Sequence, residues 1–192
     1  MLSRRRFLGV LAAAIVCPRR TTSPAPPVSL DIPALNLLNV PVVPLPIVNG
    51  AWDEARLGAR EVGLLQTTGR WPGDALAMVL AAHVTLEGGL RGPFYGLAAL
   101  RPNARVTLQT QDGRLWHYHI IGRRLLQPSD VKAIYHRDGR RLFLLTCATW
   151  NQRRQAYAHR LLVGATMDLT AAKWQPRSVR VHSPAGANVQ VG

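Results

Sequence analysis

Short apolar runs separated by turn-forming residues set the pattern of this chain from residue 28 onward. Leu142-Phe143-Leu144-Leu145-Thr146-Cys147 follows Arg140-Arg141 without polar alternation, and so predicts a strand buried on both faces. Strand parity puts Phe143, Leu145 and Cys147 on one side, with the thiol where the packed strand meets a loop. A second apolar strand covers residues 158–164, with Arg160 on the side of Leu162 and His159 turned the other way. A third, residues 77–83, ends in His83. Residues 28–32 alternate and stop at Pro33, and residues 40–43 form a short strand that prolines 41, 44 and 46 assign to an edge or rim. Residues 62–66 add another strand. Residues 105–110 and 115–121 form a hairpin through Asp112-Gly113. Asn49-Gly50, Trp71-Pro72-Gly73-Asp74, Glu87-Gly88-Gly89 and Gly92-Pro93 read as turns or loops, and residues 94–100 as one short helix plugging a barrel end. Many short strands, no repeat and no long amphipathic helix predict an all-β, closed or nearly closed barrel.

Composition narrows this. At 192 residues and 47% hydrophobic content, the chain fits one domain with tails. Residues 1–20 stand apart. Ser3-Arg4-Arg5-Arg6-Phe7-Leu8-Gly9 matches a twin-arginine export pattern, and the apolar run of residues 7–17 falls short of the roughly 20 residues that span a bilayer. Residues 21–27 read as a Thr/Ser/Pro linker. Residues 171–192 read as a loose tail, with an edge strand near 179–181 or a lid over the site as other readings. The net charge is +14, with 24 basic residues against 10 acidic ones. Five of the arginines lie in the leader, and the others are scattered, Arg153 and Arg154 in a solvated loop among them. No RNA-binding motif or zinc-finger spacing accompanies them, so the excess predicts a solvated basic surface facing an anionic envelope and not nucleic acid. His117 and His119 share a strand face but lack a third ligand at suitable spacing, which leaves a surface pair and no metal site. Trp116, Tyr118 and Ile120 form the opposite, core-facing side.

Cys147 is the only cysteine beyond Cys17 of the leader, so it has no disulfide partner in the domain. Cysteine attacks as a thiolate, histidine exchanges a proton with a leaving amine, and arginine donates to a carbonyl that is becoming an oxyanion. Together Cys147, His83 and Arg160 describe acyl transfer on an amide through a thioester.

Leu144-Leu145-Thr146-Cys147 followed by Arg160 resembles the T-L-x-T-C strand and downstream arginine of the sortases, the cysteine transpeptidases of bacterial surfaces. Phe143 stands at the first family threonine. Val79-Leu80-Ala81-Ala82-His83 is similar to the sortase strand ending in A-G-H, with Ala82 for glycine, and Pro128-Ser129-Asp130-Val131 resembles the P-x-D-V loop opening. The resemblance runs in order from Val28 to Met167, and besides Ala82 the leader departs from it, resembling a twin-arginine signal rather than the usual longer anchor helix. It implies a closed sortase-type β barrel of about eight strands with one or two short helices over residues 28–170, nearest in character to classes D, E or F. By the same resemblance Cys147 attacks the carbonyl after Thr in an LPxTG-like sorting signal, His83 protonates the departing amine, and Arg160 steadies substrate and oxyanion. Ala81, Leu145, Thr146 and Trp150, with Val131 and Ile134 of the loop, are the expected substrate contacts. An amine of the cell envelope or of another surface protein receives the acyl group. The implied enzyme is an exported monomer without cofactor or metal, at the extracytoplasmic face, touching the membrane through its N-terminal segment. Two other readings stay open: a non-catalytic sortase-like binding domain, and another Cys-His peptidase or acyl transferase.

Overall fold

The computed structural model describes residues 24–169, so the readings of the export segment and the tail lie outside the described residues. Ten strands follow in order: β1 (Pro27–Ile32), β2 (Leu37–Leu45), β3 (Ile47–Val48), β4 (Ala51–Trp52), β5 (Val62–Leu65), β6 (Met78–Ala81), β7 (Arg105–Thr110), β8 (Leu115–Leu126), β9 (Arg141–Asn151) and β10 (Ala156–Met167). Eight close into a barrel in the order β1-β2-β5-β6-β9-β10-β8-β7, and β3 with β4 forms a separate hairpin. Two contacts in the ring are parallel, β2 with β5 and β6 with β9; the rest are antiparallel.

Alternation gives each barrel strand an inner and an outer row. The inner row makes the main core, to which all eight strands contribute, with Leu30, Leu80, Leu108, Tyr118, Leu142 and Leu144 fully buried. Each such leucine contributes about 1.5–3 kcal/mol of burial. A second apolar layer lies on the outer row, where Val79 of β6, Leu162 of β10 and Leu65 of β5 pack under Leu57 and Ile134 from flanking loops. Sheet faces this apolar need cover, and the segments supplying it become the walls of a cleft.

Several elements differ from the sequence expectation. Pro41 and Pro44 do not mark an edge: β2 lies between β1 and β5, with both proline rings exposed. A proline without N–H costs the ladder one bond, which a closed ring of strands tolerates. Residues 94–100 contain only a single 3-10 turn, Leu97–Ala99, although Phe94, Leu97 and Leu100 do bury themselves in the barrel core. The other helical pieces among the described residues are likewise single 3-10 turns. β8 continues past the expected stop through Arg123 and Arg124, whose charge suggests a loop but which lie exposed opposite Val163 and Leu162. A bulge at Ile121 interrupts that pairing between Gly164 and Ala165.

Candidate active site

Cys147 lies within β9 and not at its end, since β9 runs on to Asn151 in register with β10. Its side chain belongs to the outer row with Phe143 and Leu145, while Leu142, Leu144 and Thr146 are buried on the inner side. Arg160 of β10 is the direct cross-strand partner of Cys147. On the other flank β6 runs parallel to β9 with Ala81 opposite Leu145, and the Ala82 N–H donates to the Leu145 carbonyl at 3.2 Å. His83 lies two residues beyond the Ala81–Leu145 pair, past the end of β6. Histidine, cysteine and arginine line one cleft from three neighbouring chain segments.

His83 itself lies just past β6, and local contacts fix its backbone. The Thr146 hydroxyl donates to the Ala82 carbonyl at 2.7 Å, tying the histidine segment to β9 from within the barrel. The His83 carbonyl accepts the Phe94 N–H at 3.1 Å, and the Gly92 N–H donates to the Val84 carbonyl at 3.0 Å. A Cβ at position 92 would stand 2.3 Å from the His83 carbonyl oxygen, so the loop approaches this closely only with glycine there.

The cleft is narrow over the thiol, with a cavity of about 50 Å³ walled by Leu45, Leu57 and Leu65. It widens to about 330 Å³ between the β3–β4 hairpin and the loop that leads from β8 to β9. Trp52, Glu54, Leu145 and Arg160 border both parts. A groove of the second size takes several side chains. The narrow part accepts only a slender group such as a peptide backbone.

Burial is the largest influence on Cys147 and pushes its thiol above the ordinary range; the Arg160 charge pulls it down and the Glu54 charge pushes it up again. Arg160 forms only a long 3.4 Å contact to the His159 carbonyl, and among the described residues no carboxylate pairs with it, so its guanidinium can meet a ligand.

Of the expected substrate contacts, Ala81 and Leu145 line the narrow part and Ile134 lines the groove. Val131 opens the Val131–Ile134 turn of the same loop. Thr146 is 4% exposed, and its hydroxyl is engaged by Ala82. Trp150 is outside the cleft, packed edge-on to Tyr157 at 5.0 Å with its indole N–H on Gln152. The sequence reading passed over Trp52, Glu54 and Tyr135. Asn49 and Gly50, with φ of 52° and 80°, make a two-residue turn joining β3 to β4, and that dipeptide was the available sign that Trp52 returns over the sheet. Tyr135 is held by a 2.8 Å hydrogen bond with Thr67. His117 bonds Thr107 at 3.1 Å and His119 bonds Asp168 at 2.6 Å, an acid that lies far along the chain.

A family model for the sortase domain matches residues 30–168. No curated protein matches the chain by sequence. Among solved structures, it is similar to sortase A from Corynebacterium diphtheriae in a lid mutant, with TM-score 0.58 and 21% identity over 79% of this chain and 74% of that one. Sortase C of Streptococcus pneumoniae gives a TM-score of 0.57 at 23% identity, over 74% and 68% of the two chains. Sortase C from Clostridium perfringens gives 0.54 at 20%, over 72% and 67%. These structures share the fold, and with the domain match over most of its length the chain belongs to the sortase family.

Proposed function

We propose that this sortase-family chain is an active cysteine transpeptidase that cleaves an LPxTG-like sorting signal and passes the acyl group to an amine of the cell envelope or of another surface protein. The observation that carries the reading is His83, Cys147 and Arg160 lining one cleft, the last two paired across strands, with a groove leading to it. The Cys147 thiol passes its proton to His83 as the sulfur attacks the carbonyl carbon, and the developing oxyanion is met by the Arg160 guanidinium. His83 protonates the departing amine as the C–N bond breaks, leaving a thioester. An acceptor amine then attacks that thioester, the C–S bond breaks and Cys147 is released. The groove between the β3–β4 hairpin and the loop of Val131 and Ile134 holds the peptide, with Ala81 and Leu145 beneath the scissile bond. Such an enzyme works outside the cytoplasm, which agrees with a leader of twin-arginine type.

The test incubates the purified chain with a library of LPxTG-like peptides and hydroxylamine, and mass spectrometry follows the hydroxamate and the adduct on Cys147. Product in the wild type that is lost in Cys147→Ala and falls steeply in Arg160→Ala is the expected result. A folded protein giving neither product nor adduct with any peptide would replace this reading by that of a binding domain.

A further inference from the structure

The acid at the mouth of the cleft has no role in making a thiolate. Glu54 lies in the single turn Glu54–Arg56 that follows the β3–β4 hairpin, and it borders both the narrow part over Cys147 and the wider groove. Its neighbour Asp53 is turned to Arg56 at 4.0 Å, whereas the Glu54 carboxylate has no hydrogen bond or ion pair among the described residues. Among the described residues Glu54 is also the sole acid lining the narrow part, which it shares with the positive Arg160. Its charge works against ionisation of the thiol, so an uncharged residue there would serve the first half of the reaction better.

The second half has a different need. The donor amide is neutral, but an aliphatic amine arrives as an ammonium ion. It must approach Arg160 in a protein whose net charge is +14. At physiological ionic strength charges beyond about 8 Å are screened, so the local balance at the cleft decides whether the cation enters. We infer that Glu54 is the acceptor-side specificity residue, drawing a cationic amine to the thioester and offsetting Arg160. This inference rests on the transpeptidase reading above. The ammonium gives up one proton to solvent to become nucleophilic. As the new C–N bond forms and the C–S bond breaks, His83 takes the second proton and hands it to the departing Cys147 sulfur, which restores the resting thiol.

The experiment compares two acceptors with the full chain and one donor peptide: propylamine, cationic at neutral pH, and hydroxylamine, mostly neutral there. In Glu54→Gln the KM for propylamine should rise relative to that for hydroxylamine by about two- to fivefold, the scale of a solvent-exposed charge pair. The gap should close in 1 M salt, where screening reaches about 3 Å, and Glu54→Asp should keep most of it. Equal change for both acceptors, or a change confined to the KM of the donor peptide, would overturn the inference. If the wild type forms no hydroxamate, it is the transpeptidase reading that fails, so the two failures are told apart.

Discussion

Cys147 sits between charges of opposite sign, and its reactivity should report both. Alkylation by iodoacetamide requires the thiolate, so the rate climbs with pH through the thiol pKa. Arg160 lowers that pKa and Glu54 raises it, each beneath the larger effect of burial. The midpoint of the rate–pH profile should therefore move to higher pH in Arg160→Ala and to lower pH in Glu54→Gln. Shifts in the same direction would show that the two side chains act through packing and not charge. Tyr118 presents a different economy. It is fully buried in the barrel, and its hydroxyl has no hydrogen-bond partner among the described residues. Burial alone drives its pKa far up, so it stays neutral and contributes as a ring. Because a buried hydroxyl without a partner costs about 1–3 kcal/mol, Tyr118→Phe should leave urea stability unchanged or raise it by up to about that amount. A loss above about 1 kcal/mol would reveal a hydrogen bond that the hydroxyl makes in solution.

Among the elements, the segment after β6 has the most exacting task, because it holds His83 in the cleft that a cysteine on a different strand also lines. Its backbone is gripped from the barrel side by Thr146 and from the loop side by Gly92 and Phe94. Gly92→Ala should therefore reduce kcat by about tenfold or more, since an ångström of misplacement at a reacting group is costly, with little change in KM or thermal midpoint. A parallel fall in thermal midpoint would mean that the loop had come apart as a whole. None of the three partners in this grip was legible as such in the chain. Gly92-Pro93 announces only a loop, and the backbone it touches is known only once the strands are in register. The strands were easier to read. Residues 105–110 match β7 to the residue, because an apolar run bounded by turn chemistry has few alternatives. β8 and β9 run past the expected stop because Arg123, Arg124 and Thr149 look like loop until a neighbouring strand gives their backbone a partner, and β10 extends beyond residues 158–164 at both ends. Cys147 and Arg160 were found as separate strand residues, and the cross-strand register supplies what the sequence could not, their direct opposition.

For the whole molecule, the barrel divides its two apolar surfaces between stability and function. The inner core closes the fold, and the outer layer around Val79 and Leu162 is covered by the segments that wall the cleft. Around this stands a strongly basic chain with a pI near 11.5, whose arginines within residues 24–169 are spread over strands and loops and not gathered on one element. A charge of that kind carries no sequence-reading geometry, and it suits a diffuse attraction to an anionic surface. The full chain should bind vesicles rich in phosphatidylglycerol at low salt and leave them as salt approaches 0.5 M, while showing little affinity for phosphatidylcholine vesicles. Each basic side chain near such a surface contributes about 1 kcal/mol, and that attraction falls off within a Debye length. Apolar insertion of the N-terminal run, by contrast, is indifferent to salt. Retention on anionic vesicles at high salt, or equal retention on neutral ones, would assign membrane contact to residues 7–17 and leave the basic surface without that role.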